Sequence, residues 1–447
     1  PPPPQPEVVT KYQAAAEITN RALAACVAQC KPGARIAHVC QAIDALVEDA
    51  CEKTFNKQKG LEKGLAFPCC LSVNEVAGHF SPPADDPTEL AEGDVVKIDL
   101  GCHIDGWIAV GAHTMVVQAD PSKPVTGRAA DLLAAAQAVF EVALRTVKPG
   151  ATTGGASDLW QRTAEAFGCN VCEGVLSHAL KRYIIDGNKV VLGRPVTDQR
   201  VEDHEIEELE VYAIDVLVST GEGKLKVMDE KRTTVFKRAL QNEYKLKMKA
   251  SRAFFSEVNR RFPTTPFTLR ALEDQRTARL GLVECINHEL LMDYPVLHEK
   301  PGELVAHLKA TVLLMPNGSH RVVNCNLQPF ETDKKVEDQE ILDIMAQPVK
   351  KKKKSGKKAK AEMAAEEAAL LGRHAAELAA FEAGAGEAGG PAPATGAAAA
   401  GPLAAARPAA TSPAISCPAP RNGRPPLAVS IPAISHRSAR RSSRVST

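Results

Sequence analysis

Apolar residues recur at helical spacing from Val8 to Cys30, through Tyr12, Ala15, Ile18, Ala22 and Cys26, and the run stops at Lys31-Pro32-Gly33. A second helix is expected over Ile36 to Phe55, with Ile43 and Val47 on one face, and Leu65 to Val76 reads as extended. Two strand-like runs follow, Gly93 to Gly101 and Trp107 to Val117. They are joined by Asp105-Gly106, residues that both tolerate positive φ and so mark a hairpin. The pattern then repeats. A helix over Ala130 to Val147 ends at Lys148-Pro149-Gly150, another spans about Ala156 to Phe167, and Glu210 to Val216 matches Asp94 to Leu100. The offsets, 148 − 31 = 117 and 215 − 99 = 116, are nearly equal, which predicts two duplicated halves, about 8–118 and 130–345.

Both halves carry an aspartate at the same place in the same strand, Asp99 and Asp215. Each is a carboxylate inside an apolar run, and a buried charge needs a cation, a metal or a hydrogen-bond network beside it. Halves packed about a pseudo-twofold would bring the two aspartates face to face at their interface, a natural place for a site. The plainer alternative sets both outward on edge strands. Val95, Val211 and Ala213 share the aspartate face while Ile98, Leu100, Ile214 and Val216 fill the other, so both faces read as covered.

Past Ser219 the charge balance changes. Lys224, Lys226, Lys231, Arg232, Lys237, Arg238, Lys245, Lys247, Lys249 and Arg252 meet only Glu222, Asp229, Glu230 and Glu243. Lys245, Lys247 and Lys249 alternate with Leu246 and Met248, so a strand there would put three ammonium groups on one face, with Phe236 and Tyr244 nearby. Such a segment is either a phosphate-binding face or an ordinary exposed loop. Helices expected over Arg252 to Arg261 and Leu269 to Leu290 complete an insert over 219–290. A last strand pair is expected from Glu303 to Pro316 with a turn at Asn317-Gly318, and Lys309 places another charge inside its apolar run.

The folded domain is thus expected over 8–346, and 347–447 reads as a Lys-rich, then Ala/Pro-rich disordered tail. Lys350 to Lys354, with Lys357, Lys358 and Lys360, suit anionic RNA, phospholipid or nuclear import receptors. No apolar run approaches the length of a bilayer span, so no membrane insertion is expected. Pro1 to Pro6 lacks the basic flank and apolar stretch of a secretory signal. The 12 cysteines sit mostly singly in apolar stretches, as reduced core cysteines do, which points to cytoplasm or nucleus. The lone Cys169-x-x-Cys172 reads as two small core residues near a strand. A formal net charge of +1 argues neither for nor against nucleic acid.

The duplicated halves, His79 after Ser72-Val73-Asn74, Lys97-Ile98-Asp99, Leu176-Ser177-His178 and Tyr212-Ala213-Ile214-Asp215 together resemble the methionine aminopeptidases of the second type. That resemblance implies an α+β pita-bread (creatinase/aminopeptidase) fold, with the insert marking the type. Members of that family hold a pair of metal ions through two Asp, one His and two Glu. Here Asp99 matches the first ligand and His178 the third, while Val110, 110 − 99 = 11 residues on, stands where the second belongs. Asp215 takes the fourth place as a shortened carboxylate, and Lys309 takes the fifth. His113 cannot substitute for Val110, because three residues on it points to the opposite face. Lys309 is therefore expected between Asp99 and Asp215 as a buried ion pair in place of metals, with no cofactor and no hydrolysis. His79 matches the substrate-side histidine of the old pocket.

Gly64-Leu65-Ala66-Phe67-Pro68, His79-Phe80-Ser81-Pro82, Arg232-Thr233-Thr234, Leu246-Lys247-Met248-Lys249 and Pro266-Phe267-Thr268-Leu269-Arg270 are similar to the proliferation-associated, ErbB-binding subfamily. This implies a catalytically inactive, monomeric protein that binds ribosomal RNA and the large ribosomal subunit near the nascent-chain exit, with other structured RNA and nascent chains as further partners. Cytoplasmic and nuclear or nucleolar pools are implied as well. The expected RNA contacts are Lys231, Arg232, Lys237, Arg238, Lys245, Lys247, Lys249 and Arg252, helped by Lys351, Lys352, Lys353 and Lys354. The alternatives are a peptide-binding adaptor using the pocket around His79 and His178, and an active methionine aminopeptidase.

Overall fold

A computed structural model describes residues 6–195, 201–228, 233–324 and 326–350. The chain divides into two units, Pro1–Lys354 and Ser355–Thr447, and the described residues belong to the first. Lys231, Arg232, Lys351, Lys352, Lys353, Lys354 and the tail beyond lie outside them.

The first half opens with α1 (Pro6–Gln29) and α2 (Ile36–Lys53), then β1 (Lys63–Val73), the short β2 (Val76–Gly78), and the hairpin β3 (Val95–Ile104) and β4 (Trp107–Val116). Asp105 and Gly106 take φ of +55° and +75°, the two left-handed positions that the hairpin turn requires. A Cβ on Gly106 would lie 2.6 Å from the Tyr183 ring, so that turn is also a close approach between the two halves. The second half repeats the order with α3 (Gly127–Thr146), α4 (Ser157–Glu165), β5 (Asn170–Val171), β6 (Leu176–Leu180), β7 (Val190–Leu192) and β8 (Val211–Ser219). Next come β9 (Lys226–Val227), β10 (Val235–Arg238), α5 (Lys249–Arg261), β11 (Phe267–Thr268), α6 (Gln275–Asn287), β12 (Leu291–Tyr294) and β13 (Leu297–His298). The described chain closes with β14 (Val305–Met315), β15 (Gly318–Arg321) and α7 (Gln339–Ala346).

The main sheet runs β1-β3-β4-β14-β8-β6-β7. Its order reads the same way outward from the β4/β14 seam, β3 answering β8 and β1 answering β6, so the duplication seen in sequence is a pseudo-twofold in space. The helices α1, α2 and α3 pack on the sheet. β3, β4 and β8 are buried almost throughout, which rules out the edge-strand alternative for Asp99 and Asp215. The seam itself is partly stitched by side chains. Val110 N–H donates to Thr311 Oγ1 (2.8 Å) and His307 N–H to Thr114 Oγ1 (2.7 Å), while each hydroxyl donates to the carbonyl of the same partner.

Three local expectations are corrected. Lys245 to Lys249 forms no strand, because the Glu284 carboxylate accepts the N–H groups of Lys247 and Met248, and Lys249 already begins α5. The segment from Leu269 is not continuously helical. A single 3₁₀ turn at Leu269–Ala271 is followed by α6, which starts at Gln275 because the Asp274 side chain caps Thr277 N–H. The folded chain also runs past Ala346: Ser319 N–H donates to Val349 O and Arg145 Nε to Gln347 O. The insert helices α5 and α6 cross at Gly281, where a Cβ would meet Ala250 O at 2.9 Å. Cys169 and Cys172 are both buried. Among the described residues, no helix is long and apolar enough to cross a membrane.

Candidate functional site

Asp99, Ala112, Lys309 and Asp215 are successive partners across β3, β4, β14 and β8. Directly paired residues point to one face of a sheet, so this row sets two carboxylates on either side of an ammonium. Lys309 Nζ lies 2.9 Å from Asp99 Oδ2 and 3.0 Å from Asp215 Oδ2. All three side chains are largely buried, Lys309 at 12% exposure. Burial alone would lower the Lys309 pKa, but Asp215 and Asp99 outweigh it and hold the ammonium above the usual lysine value. Burial likewise works to raise the Asp215 carboxyl, and Lys309 and His307 together hold it well below the carboxylate range.

His307 escaped the sequence reading. It stands two positions before Lys309 on β14 and so shares its face, and its Nε2 donates to Asp215 Oδ1 at 2.7 Å. That period of two was the available signal. His178 on β6 pairs with Ala213 of β8 and is half-buried; burial, and then the Lys309 charge, pull its imidazole below the ordinary value. Val110 is buried on β4 and presents only methyl groups. His79 has φ +65° and donates from Nδ1 to Pro295 O at 2.9 Å, with its ring beside Phe67 and Tyr294. Burial pulls its pKa down. His113 lies on the opposite face of β4, buried, with its imidazole pushed down to about 4 by burial.

The donor set therefore offers no seat for a divalent pair. An ammonium fills the space between the carboxylates, Val110 two residues before Ala112 on β4 adds only methyl groups, and among the described residues no group of three or more His, Cys, Asp or Glu side chains is arranged to hold a metal ion. Three buried polar atoms around the row still have no hydrogen-bond partner: Asp99 Oδ1, His178 Nδ1 and His307 Nδ1.

Of the described residues expected to meet RNA, Lys245, Lys247, Lys249 and Arg252 are exposed on the insert. Arg238 is half-buried, with its guanidinium over the Phe255 ring at 5.7 Å. Lys237 departs from the expectation. Its side chain is 12% exposed and its ammonium is held by Asp186 at 2.5 Å, so its charge is already committed.

Residues 10–235 match the metallopeptidase family M24. ErbB-3 binding protein 1 of Solanum tuberosum is 54% identical over 357 residues, covering 79% of this chain and 91% of its own length. Proliferation-associated protein A of Dictyostelium discoideum is 43% identical over 358 residues, covering 80% of this chain and 92% of that one. A solved structure described as a thermophilic Arx1 superposes with a TM-score of 0.74 at 32% identity, covering 78% of this chain and 100% of the other.

Proposed function

The chain belongs to metallopeptidase family M24, among its ErbB-3-binding and proliferation-associated members, and from that membership we propose a pseudoenzyme that docks on RNA. It keeps the aminopeptidase-like fold, performs no peptide hydrolysis, and binds ribosomal RNA and the large ribosomal subunit near the nascent-chain exit. It does so as a monomer, in the cytoplasm with a nuclear or nucleolar pool.

The observation that carries the first part is Lys309 between Asp99 and Asp215. Hydrolysis in such a site depends on a water activated by metal, and an ammonium at the cation position repels the ion that would do it. The exposed Lys245, Lys247, Lys249 and Arg252 support the second part, because clustered cations bind phosphates and release condensed counterions. Co-sedimentation with purified large subunits tests it. Binding is expected at low salt, with loss at high salt and a drop of about tenfold or more when Lys245, Lys247 and Lys249 are all changed to Glu. Unchanged binding by that variant, no binding by the parent at low salt, or release of Met from a short peptide by the metal-loaded protein would each overturn it.

A second reading rests on the three unpartnered atoms. Asp99 Oδ1 lacks a donor, although Lys309 holds the other carboxylate oxygen. That unpartnered oxygen suits the free amine of a chain N-terminus, held beside Phe67 and Tyr294 without cleavage. A photo-crosslinker on a Met-starting peptide should attach near His79, and Asp99→Asn should abolish the crosslink. Equal labelling of parent and variant would remove this reading.

A further inference from the structure

Tyr244 and His288 form a ring stack at the margin of the insert, with centroids 3.5 Å apart and planes inclined by 13°. The two rings face different surroundings. Tyr244 packs against the insert's apolar core of Phe236, Leu246 and Phe254, whereas His288 is exposed. The imidazole is therefore the outer layer of a stack founded on that core, and its far face is open to solvent.

The stack is held from both sides. His288 caps α6, with its N–H donating to Glu284 O, and Glu289 turns the chain away in the left-handed conformation at φ +54°. Asn242 Nδ2 donates to Glu289 O at 2.8 Å, tying the loop before Tyr244 to the same turn. Beyond Tyr244 the loop alternates, Lys245 and Lys247 outward and Leu246 inward, and the Glu284 carboxylate fixes it by accepting the N–H groups of Lys247 and Met248. Glu243 and Glu289 are the opposing charges nearby, against Lys245, Lys247, Lys249 and Arg252.

We propose that the open face of His288 is a stacking platform for one unpaired RNA base, with Lys245 and Lys247 taking the adjoining phosphates. This rests on the RNA-binding reading above and narrows it to the class of RNA. Flat rings bordered by cations are how proteins hold single strands, since every base has a face to stack and an unpaired base can be splayed out to reach the ring. Bases in an uninterrupted duplex are already stacked on one another and cannot.

The test uses the full chain and two labelled probes, a short single-stranded polyadenosine RNA and a blunt RNA duplex of equal length, at one salt concentration. His288→Ala, an exposed change that leaves the core untouched, should weaken single-strand binding about tenfold and leave duplex binding within about twofold. His288→Phe, which keeps a flat ring without the imidazole, should restore single-strand binding. Equal loss for both probes, no loss for either, or failure of phenylalanine to rescue would overturn the platform while leaving RNA binding intact. A parent that binds neither probe would overturn the platform, while the large-subunit co-sedimentation decides the RNA-binding reading separately.

Discussion

Replacing Lys309 with methionine is expected to destabilise the folded protein by about 3–5 kcal/mol, the usual consequence of removing one partner from a buried charge pair. Methionine nearly preserves the volume, so the loss comes from charge: Asp99 and Asp215 remain buried, with only His307 Nε2 still donating to Asp215. The sign of the pH dependence follows from Asp215. Its carboxyl is held below the ordinary range, so its contribution is present above an unfolded aspartate pKa of about 3.9 and is lost as pH falls through the lower folded value. The variant lacks that contribution, and the gap between parent and variant should narrow in acid. Adding Asp99→Asn and Asp215→Asn to Lys309→Met should recover much of the loss. Urea denaturation at neutral and acid pH measures all of this; a Lys309→Met protein that unfolds at the parent's midpoint would show that the row contributes nothing net.

Lys97→Met should do the opposite and stabilise the protein by about 2–4 kcal/mol at pH 7. Lys97 lies on β3 two residues from Asp99, yet it is only 1% exposed and among the described residues makes no ion pair. Its ammonium reaches only two carbonyls, Asn74 O at 2.6 Å and Val95 O at 3.4 Å. Burial pushes its pKa down to about 7, against about 10.4 in an unfolded chain. The folded state then binds fewer protons than the unfolded state between those values, so stability should climb from about pH 7 to about pH 10, by up to about 1.4 kcal/mol per unit. Methionine removes the titration and should flatten that rise. It leaves neither carbonyl orphaned, because Asn74 O also accepts from Val305 N–H and Val95 O from Asn74 N–H. A variant with the parent's slope would place the titrating group elsewhere.

The contrast between these lysines shows what the sequence could convey. Each sits in an apolar strand, and from the pattern alone each is a charge in the wrong place. The duplication put Asp99 and Asp215 at matching positions, which become neighbours about a pseudo-twofold, and only the resemblance to the aminopeptidases set Lys309 between them. Lys97 has no such counterpart, and its carbonyl partner Asn74 depends on how β2 and its turn fold over β3. His307 was missed for a related reason: histidine is unremarkable inside a strand, and only its two-residue spacing from Lys309 marks it. The basic loop was legible in composition but not in shape. Alternating Lys and apolar residues suggested a strand, and the capture of two backbone N–H groups by Glu284, some 36 residues away, could not be read from that pattern.

The palindromic sheet also dictates an order of assembly. β14, at Val305–Met315, is the central strand of the main sheet and the last but one of the described strands in chain order, while its neighbours β4 and β8 end at Val116 and Ser219. Until it arrives, the emerging chain holds two half-sheets, each with a raw hydrogen-bonding edge. Joining those edges directly would enclose two carboxylates with no cation, an arrangement that costs far more than the native one. The strand that completes the hydrogen bonding also delivers the compensating charge, so the sheet closes once, late, and around Lys309.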